Sequence, residues 1–219
     1  MAFLFVFESQ FIPTYPVLLI ASDEAGRGPL AGPVAAASVA IVIESPQTLS
    51  QLLKTLKEWG VDDSKKMKES KRAEIAKKEL SLLGLKSSVS LVSAQEIDEI
   101  NILRASLLAM RRSALECVSK TKKLPTIWLV DGNKRPDSDK EWSVHSIVKG
   151  DSKSLLIGLA SILAKVARDE LMQALHLEYP QYGFNQHAGY PTASHRQSIA
   201  LHGPCPVHRK TFKGVREYL

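Results

Sequence analysis

Two periodicities divide this chain. Residues 17–22 (VLLIAS) form a short, continuous apolar run between breakers, the pattern of a strand buried on both faces. Residues 34–43 (VAAASVAIVI) repeat that pattern at greater length and predict a second strand able to form a hairpin with the first. From 49 to 83 Lys and Glu interleave with Leu at helical spacing, with a break around 60–64, and Ser70 is expected to cap a helix reaching Leu80. Residues 86–92 read as another strand, and Ser93-Ala94-Gln95-Glu96 as a capping box opening a long helix over 94–121, bent near Asn101. Short strands follow at 127–130 and 144–148, then a helix over 154–177 that Pro180 stops. At the start Phe3, Phe5 and Phe7 alternate with period two, which predicts an edge strand or packed extension. Strands and helices mixed throughout predict an α/β layered fold.

Three regions emerge: a Phe-rich extension over 1–16, a core over 17–180 and an appendage over 181–219. The appendage carries five Lys and Arg against a single acid, Glu217, and most of the histidines. The extension is expected to be dispensable for chemistry, so that a chain starting at Pro16 would still work. At 219 residues, 44% hydrophobic and 24% charged, the composition excludes a disordered or fibrous chain. The net charge of +6 suits a polyanionic partner without requiring one. Cys117 and Cys205 lie far apart and predict no disulfide framework, and a reducing cytoplasm is the expected location. No Lys or Arg precedes Arg27 and no apolar run approaches the about 20 residues a bilayer needs, so neither a signal peptide nor a membrane span is expected.

The candidate chemistry lies where predicted strands end. Asp23-Glu24, Asp131 and Asp151 each follow an apolar run, and ligands of α/β sheets gather at the carboxyl ends of strands. A lone acid there is ordinary turn chemistry. Several converging carboxylates repel one another unless cations intervene, and oxygen-only ligands suit Mg²⁺ or Mn²⁺. Two such ions about 3.5–4 Å apart clamp the attacking and leaving oxygens of a phosphodiester displacement. Between these acids lies Gly26-Arg27-Gly28-Pro29-Leu30-Ala31-Gly32. Its GxGxxxG spacing and its prolines do not match a dinucleotide fingerprint, but its glycines allow close approach to a sugar-phosphate and Arg27 offers a forked phosphate donor.

The stretch Ser22-Asp23-Glu24-Ala25-Gly26-Arg27-Gly28-Pro29-Leu30-Ala31-Gly32-Pro33 closely resembles the N-terminal motif of bacterial ribonuclease HII. The likeness continues in order through Asp63-Ser64-Lys65-Lys66, Asn101-Ile102-Leu103, Val130-Asp131-Gly132-Asn133 and Lys149-Gly150-Asp151-Ser152-Lys153-Ser154. It resumes at residues 160–169, Tyr182-Gly183-Phe184, His187, Gly189-Tyr190-Pro191-Thr192, His195 and residues 203–209, and so spans about 17–213. The resemblance implies a ribonuclease H-like core, a mixed β-sheet flanked by helices, with a short basic C-terminal helical appendage completing the substrate site. It implies hydrolysis of the RNA strand of RNA–DNA hybrids and incision 5′ to ribonucleotides embedded in duplex DNA, leaving 3′-hydroxyl and 5′-phosphate ends. By the same resemblance Asp23, Glu24, Asp131 and Asp151 are the catalytic metal ligands of a site for two Mg²⁺ or Mn²⁺ ions. Gly26, Arg27, Gly28 and Tyr190 would recognise the ribonucleotide and its 2′-hydroxyl, and Lys65 a backbone phosphate. Arg27 separates the chain from the ribonuclease HIII group, which usually has Thr there. A monomer is expected; no protein partner is legible.

Some features remain open at this level. Neighbours on a regular strand face opposite ways, so either the strand ends between Asp23 and Glu24 or Glu24 acts partly through its backbone carbonyl. Leu156, Gly158 and Leu159 depart from the small residues expected after Asp151, and Gly158 costs about 1 kcal/mol against Ala in a helix. Ala188 stands where a Lys often precedes the Gly-Tyr pair. The HxxCxxH spacing of His202, Cys205 and His208 suggests zinc, but the intervening prolines favour a packing role. Arg196, Arg209, Lys210, Lys213 and Arg216 are further candidate phosphate contacts, and Trp59, Trp128 and Trp142 candidate core. The alternatives are a catalytically silent hybrid-binding module, or a Mg²⁺-dependent nuclease of other substrate choice on the same fold.

Overall fold

The computed structural model describes residues 7–119, 124–138 and 141–219. Phe3 and Phe5 lie outside them; Phe7 opens a short 3-10 helix, Phe7–Phe11, rather than ending a strand. The hairpin is as the apolar runs predict: β1 (Val17–Ala25) pairs antiparallel with β2 (Val34–Ile43) over its whole length. The Lys- and Glu-rich region folds as α1 (Pro46–Glu58) and α2 (Glu69–Ala76). Ser70 is not its cap: the cap position is Lys68, two residues earlier and without a side-chain cap bond, and Leu80 belongs to a separate 3-10 turn.

Next come β3 (Lys86–Val92), α3 (Ala94–Ile100) and α4 (Ile102–Val118). The capping box at Ser93 and Glu96 forms, both bonds present. The expected bend at Asn101 is a full break. Its backbone turns left-handed, φ 67°, and its side chain accepts from the N–H groups of Leu103 and Arg104 to start α4 afresh. β4 (Thr126–Asp131), β5 (Trp142–Ile147) and the long α5 (Leu155–Glu178) complete the core, with Ser154 capping α5. Beyond Pro180 lie the short α6 (Phe184–His187) and α7 (Ala193–His202).

The sheet has the order β3-β2-β1-β4-β5, antiparallel on the β2 side of β1 and parallel on the β4 side. Alternation along the strands sends Val17, Leu19, Ala21, Ile127 and Leu129 into one core with α1 and α5. It sends Leu18, Ile20, Trp128 and Val130 into a second core with α3 and α4. On that second face Ala36 and Ala40 of β2 meet Ala105, Ala109 and Ala114 of α4, small against small, which brings helix and sheet close. Trp128 is fully buried and donates its indole N–H to Ser22 Oγ at 2.7 Å, and Ser22, Ser38 and Ser113 hydrogen-bond in succession across β1, β2 and α4. A third cluster, Leu30, Ala31, Met172, Tyr182, Phe184, Ile199, Cys205 and Val215, welds the appendage to α5 and to the loop after β1. Cys117 and Cys205 are both free and buried. Among the described residues no helix is long and apolar enough to cross a membrane.

Candidate active site

The carboxyl ends of β1 and β4 lie side by side. Their parallel register, Ser22 opposite Val130, brings Asp23 and Asp131 next to each other on the face covered by α5. Asp151 enters from a 3-10 turn, Gly150–Ser152, that runs directly into α5. Asp131 Oδ1 accepts from the Gly150 N–H at 2.6 Å, so one candidate ligand fixes the turn that carries another. Gly158, one turn into α5, backs against that turn: a Cβ there would lie 3.1 Å from the Asp151 carbonyl oxygen. The glycine that departs from the expected pattern thus lets helix and turn approach.

β1 does not end between Asp23 and Glu24; both belong to it. Asp23 is 3% exposed, and its Oδ1 accepts from the Glu24 N–H at 2.7 Å. Burial first, then the charges of Glu24 and Asp131, hold its pKa well above the usual carboxylate range, against a hydrogen bond from Ser161. Burial also raises Glu24, opposed by Arg27 and reinforced by Asp131. Asp131 is raised by burial, opposed by the Gly150 N–H and reinforced by Asp151.

Positive charge reaches this cluster from two sides. Lys65 Nζ lies 3.1 Å from Asp151 Oδ2, and Arg27 Nη1 3.4 Å from Glu24 Oε1. Among the described residues no three His, Cys, Asp or Glu side chains are drawn together closely enough to hold a metal ion as they stand. The donor set nevertheless fits hard divalent cations: oxygen donors only, held near one another on adjacent strand ends against their own repulsion, with an ammonium lodged on one of them.

The Gly26–Gly32 loop forms the adjoining wall and is closed by the appendage. Leu30 N–H donates to Gly189 O at 2.8 Å, Gly32 N–H to Val207 O at 2.9 Å, and Ala31 bridges His208. This seats the half-exposed Tyr190 ring against Gly28, where a Cβ would lie 3.6 Å from the ring. The structure thus links Asp23, Glu24, Asp131 and Asp151 with Lys65 and Arg27, and sets Tyr190 against Gly28 in the loop that follows β1.

Arg209, expected at the surface as a phosphate contact, is instead fully buried, its guanidinium bonded to carbonyls of the loop. His208 and Cys205 are also interior: Cys205 N–H donates to His208 Nδ1, and His208 Nε2 faces His195 Nε2 at 3.1 Å. Sequence reasoning missed Ser161, Arg168 and the role of Arg209. Arg168 shares a face of α5 with the buried Ala164 and Met172, and that charge at a core position was the visible signal.

A mixed sheet in this order, with carboxylates gathered at its central strand ends beside a glycine-rich loop, defines a hydrolytic enzyme of the ribonuclease H type, with a site suited to divalent cations. The family model for ribonuclease HII matches residues 20–215. A ribonuclease HII from Shewanella sediminis is 44% identical over 207 residues, covering 90% of this chain and 88% of its own length. The crystal structure of ribonuclease H2 from Pyrococcus horikoshii superposes with a TM-score of 0.68 at 26% identity, covering 92% of this chain and 96% of that one. At 18% identity, Bst-RNase HIII in complex with Mn²⁺ shares the fold with a TM-score of 0.69, covering 93% of this chain and 69% of that one. The chain belongs to the ribonuclease HII family. Its activity is that of a divalent-metal-dependent endoribonuclease, acting on RNA–DNA hybrids and on ribonucleotides embedded in DNA.

Proposed function

We propose that Asp23, Glu24, Asp131 and Asp151 hold a pair of divalent cations, Mg²⁺ or Mn²⁺, and that the chain cuts 5′ to a ribonucleotide, leaving 3′-hydroxyl and 5′-phosphate ends. The observation that carries this reading is the burial of mutually repelling carboxylates at the adjacent ends of β1 and β4, directly before a loop whose Gly28 lies against the Tyr190 ring. Bound cations supply positive charge to the attacking and leaving oxygens of the phosphodiester. The protein's own groups do the rest. Asp23 and Asp131, set by strand register, and Asp151, set by its turn, fix where the cations sit. Lys65 and Arg27 neutralise the acids before substrate arrives, then turn their donors to the phosphates on either side.

The Tyr190 ring packs on the sugar, and its hydroxyl, with the N–H groups of Gly26, Arg27 and Gly28, reads the 2′-hydroxyl, the group that separates ribose from deoxyribose. The appendage over 181–219 completes the site by holding that loop. The test is cleavage of an end-labelled duplex bearing one ribonucleotide, with Mg²⁺, Mn²⁺ or chelator, by wild type and Asp131→Asn. Metal-dependent incision 5′ to the ribonucleotide, lost in the variant, is expected. Equal cleavage of an all-DNA duplex would instead indicate a general nuclease, and tight binding without cleavage a silent binding module.

A further inference from the structure

Two arginines lie beneath the Gly26–Gly32 loop, and neither reaches solvent: Arg168 is 1% exposed and Arg209 fully buried. Buried guanidiniums ordinarily find carboxylates. These find backbone carbonyls. Arg209 donates from Nη2 to Gly26 O at 2.6 Å, from Nη1 to Arg27 O at 3.0 Å and from Nε to Gly32 O at 3.0 Å. Arg168 donates from Nη2 to Ala31 O at 3.2 Å and from Nε to Pro33 O at 3.1 Å. Every one of these acceptors belongs to the short stretch between the first glycine of the loop and the start of β2.

The consequence is directional. In a planar trans peptide a carbonyl drawn inward turns the next residue's N–H outward, so the hold on Gly26 O and Arg27 O faces the amides of Arg27 and Gly28 outward, and among the described residues these two N–H groups and that of Gly26 have no partner. Gly26 rests directly on Arg168 with a φ of +94°, so a side chain at that position would collide with the guanidinium. Arg168 also lies beneath Tyr190, its Cζ 6.0 Å from the ring centroid. Among the described residues its buried Nη1 has no partner, and no carboxylate bonds either guanidinium. The floor of the loop is therefore cationic, its rigid forks matched to carbonyl geometry in a way an ammonium cannot reproduce.

We propose that Arg168 and Arg209 are positioning residues for ribose recognition: Arg209, by holding the Gly26 and Arg27 carbonyls inward, aims the amides of Arg27 and Gly28 at the sugar of a ribonucleotide, and Arg168, packed under Gly26 and the Tyr190 ring and bonded to the Ala31 and Pro33 carbonyls, holds the loop and the ring in place to meet it. This rests on the reading of that loop and Tyr190 as the ribose-recognising elements. The test measures discrimination rather than activity. In an Asp131→Asn background, affinities are compared for a duplex with one ribonucleotide and for the same duplex in all-DNA form. Arg168→Lys and Arg209→Lys keep the charge but lose the fork, and should cut the preference for the ribonucleotide at least about tenfold. Affinity for the all-DNA duplex should stay within about twofold.

Should either Lys variant fold poorly, amide hydrogen exchange on the Asp131→Asn chain alone still decides. The amides of 26–28 should exchange freely in the unbound protein and become protected by the ribonucleotide duplex but not by the all-DNA duplex. Protection before binding, or equal protection by both duplexes, would overturn the proposal, as would Lys variants that keep the full preference. Tyr190→Phe and Arg27→Ala separate the two levels. If they too keep the full preference, the recognition reading itself fails. If they lose it while the folded Lys variants do not, only the role of the buried arginines fails.

Discussion

Asp23 is held where its charge is least welcome, under α5 and beside two further acids. A carboxyl whose folded pKa is raised binds more protons folded than unfolded, so ionisation at neutral pH works against folding. Asp23→Asn should therefore raise the melting temperature measured in chelator, since the amide oxygen can still accept from the Glu24 N–H. The same change should reduce cleavage by more than the roughly 100-fold typical of losing a group that merely orients a metal ligand. A variant less stable than wild type would mean that the carboxylate is needed for the fold. Gly158 poses a related contest between helix propensity and space. Alanine there gains about 1 kcal/mol of propensity but presses on the Asp151 carbonyl 3.1 Å away. Gly158→Ala should leave the urea midpoint nearly unchanged while lowering kcat severalfold, and an unchanged kcat would show that the turn yields without consequence.

Among the elements, α5 concentrates the most dependence. Ser154 caps it, accepting from the Ile157 N–H, and donates its hydroxyl to Glu8 Oε1 at 2.7 Å. Glu8 is 2% exposed and raised in pKa by burial, against hydrogen bonds from Ser154 and from the backbone of Leu155 and Leu156. A carboxylate at a helix N-terminus meets both unpaired amides and the positive end of the dipole. The extension thus joins the cap of the helix that begins immediately after Asp151, and Phe11 packs on His145 with ring centroids 4.9 Å apart. Dispensability of the extension gives way to a different expectation. Glu8→Ala should cost about 1–2 kcal/mol of stability, and a chain beginning at Pro16 should cleave more slowly at saturating metal. A truncated chain with wild-type kcat and melting temperature would restore the simpler view.

The elements themselves were largely legible because their signals are local: the apolar runs gave β1 and β2, Ser93 with Glu96 gave a true capping box, and Asn101 marked a boundary. The candidate carboxylates were legible for the same reason, each following its own strand or turn. What escaped were partnerships distant in sequence. Arg209 looked like a surface cation because its acceptors lie 177 to 183 positions away. Glu8 gave no signal at all, because its partner Ser154 lies 146 positions on. Backbone carbonyls, moreover, leave no mark in a sequence by which a buried cation could be foreseen.

For the whole molecule, apolar contact joins the appendage to the core, and interior histidines tie the appendage to itself. Cys205 N–H donates to His208 Nδ1, which leaves His208 Nε2 as donor to His195 Nε2 and His195 Nδ1 as donor to the Tyr190 carbonyl. The run of bonds needs both rings neutral. Burial, and for His208 also the neighbouring His195, lowers both to about 4. An unfolded histidine titrates near about 6.5, so as pH falls from there to 4 the unfolded chain takes up protons that the folded chain refuses. This stabilisation is complete above pH 6.5 and lost on the way down, on the order of 3 kcal/mol per ring and less than additive because the rings share a hydrogen bond. The urea midpoint should fall markedly between pH 7.5 and 5, and much less so in His208→Asn. Equal slopes for the two proteins would remove the histidines from the account.

The joining of the Gly26–Gly32 loop to residues near the end of the chain also orders events in time. A polypeptide emerges from the ribosome N-terminus first, and contacts of wide sequence separation close last. Asp23, Glu24, Asp131 and Asp151 are all synthesised before Gly189, Val207 and Arg209, the residues that fix the loop. A partly made chain can hold all four candidate acids and still lack a settled Gly26–Gly32 loop. On the proposed reading of that loop, selectivity is the last property the chain acquires as it is made, and the first that a chain broken off early would lack.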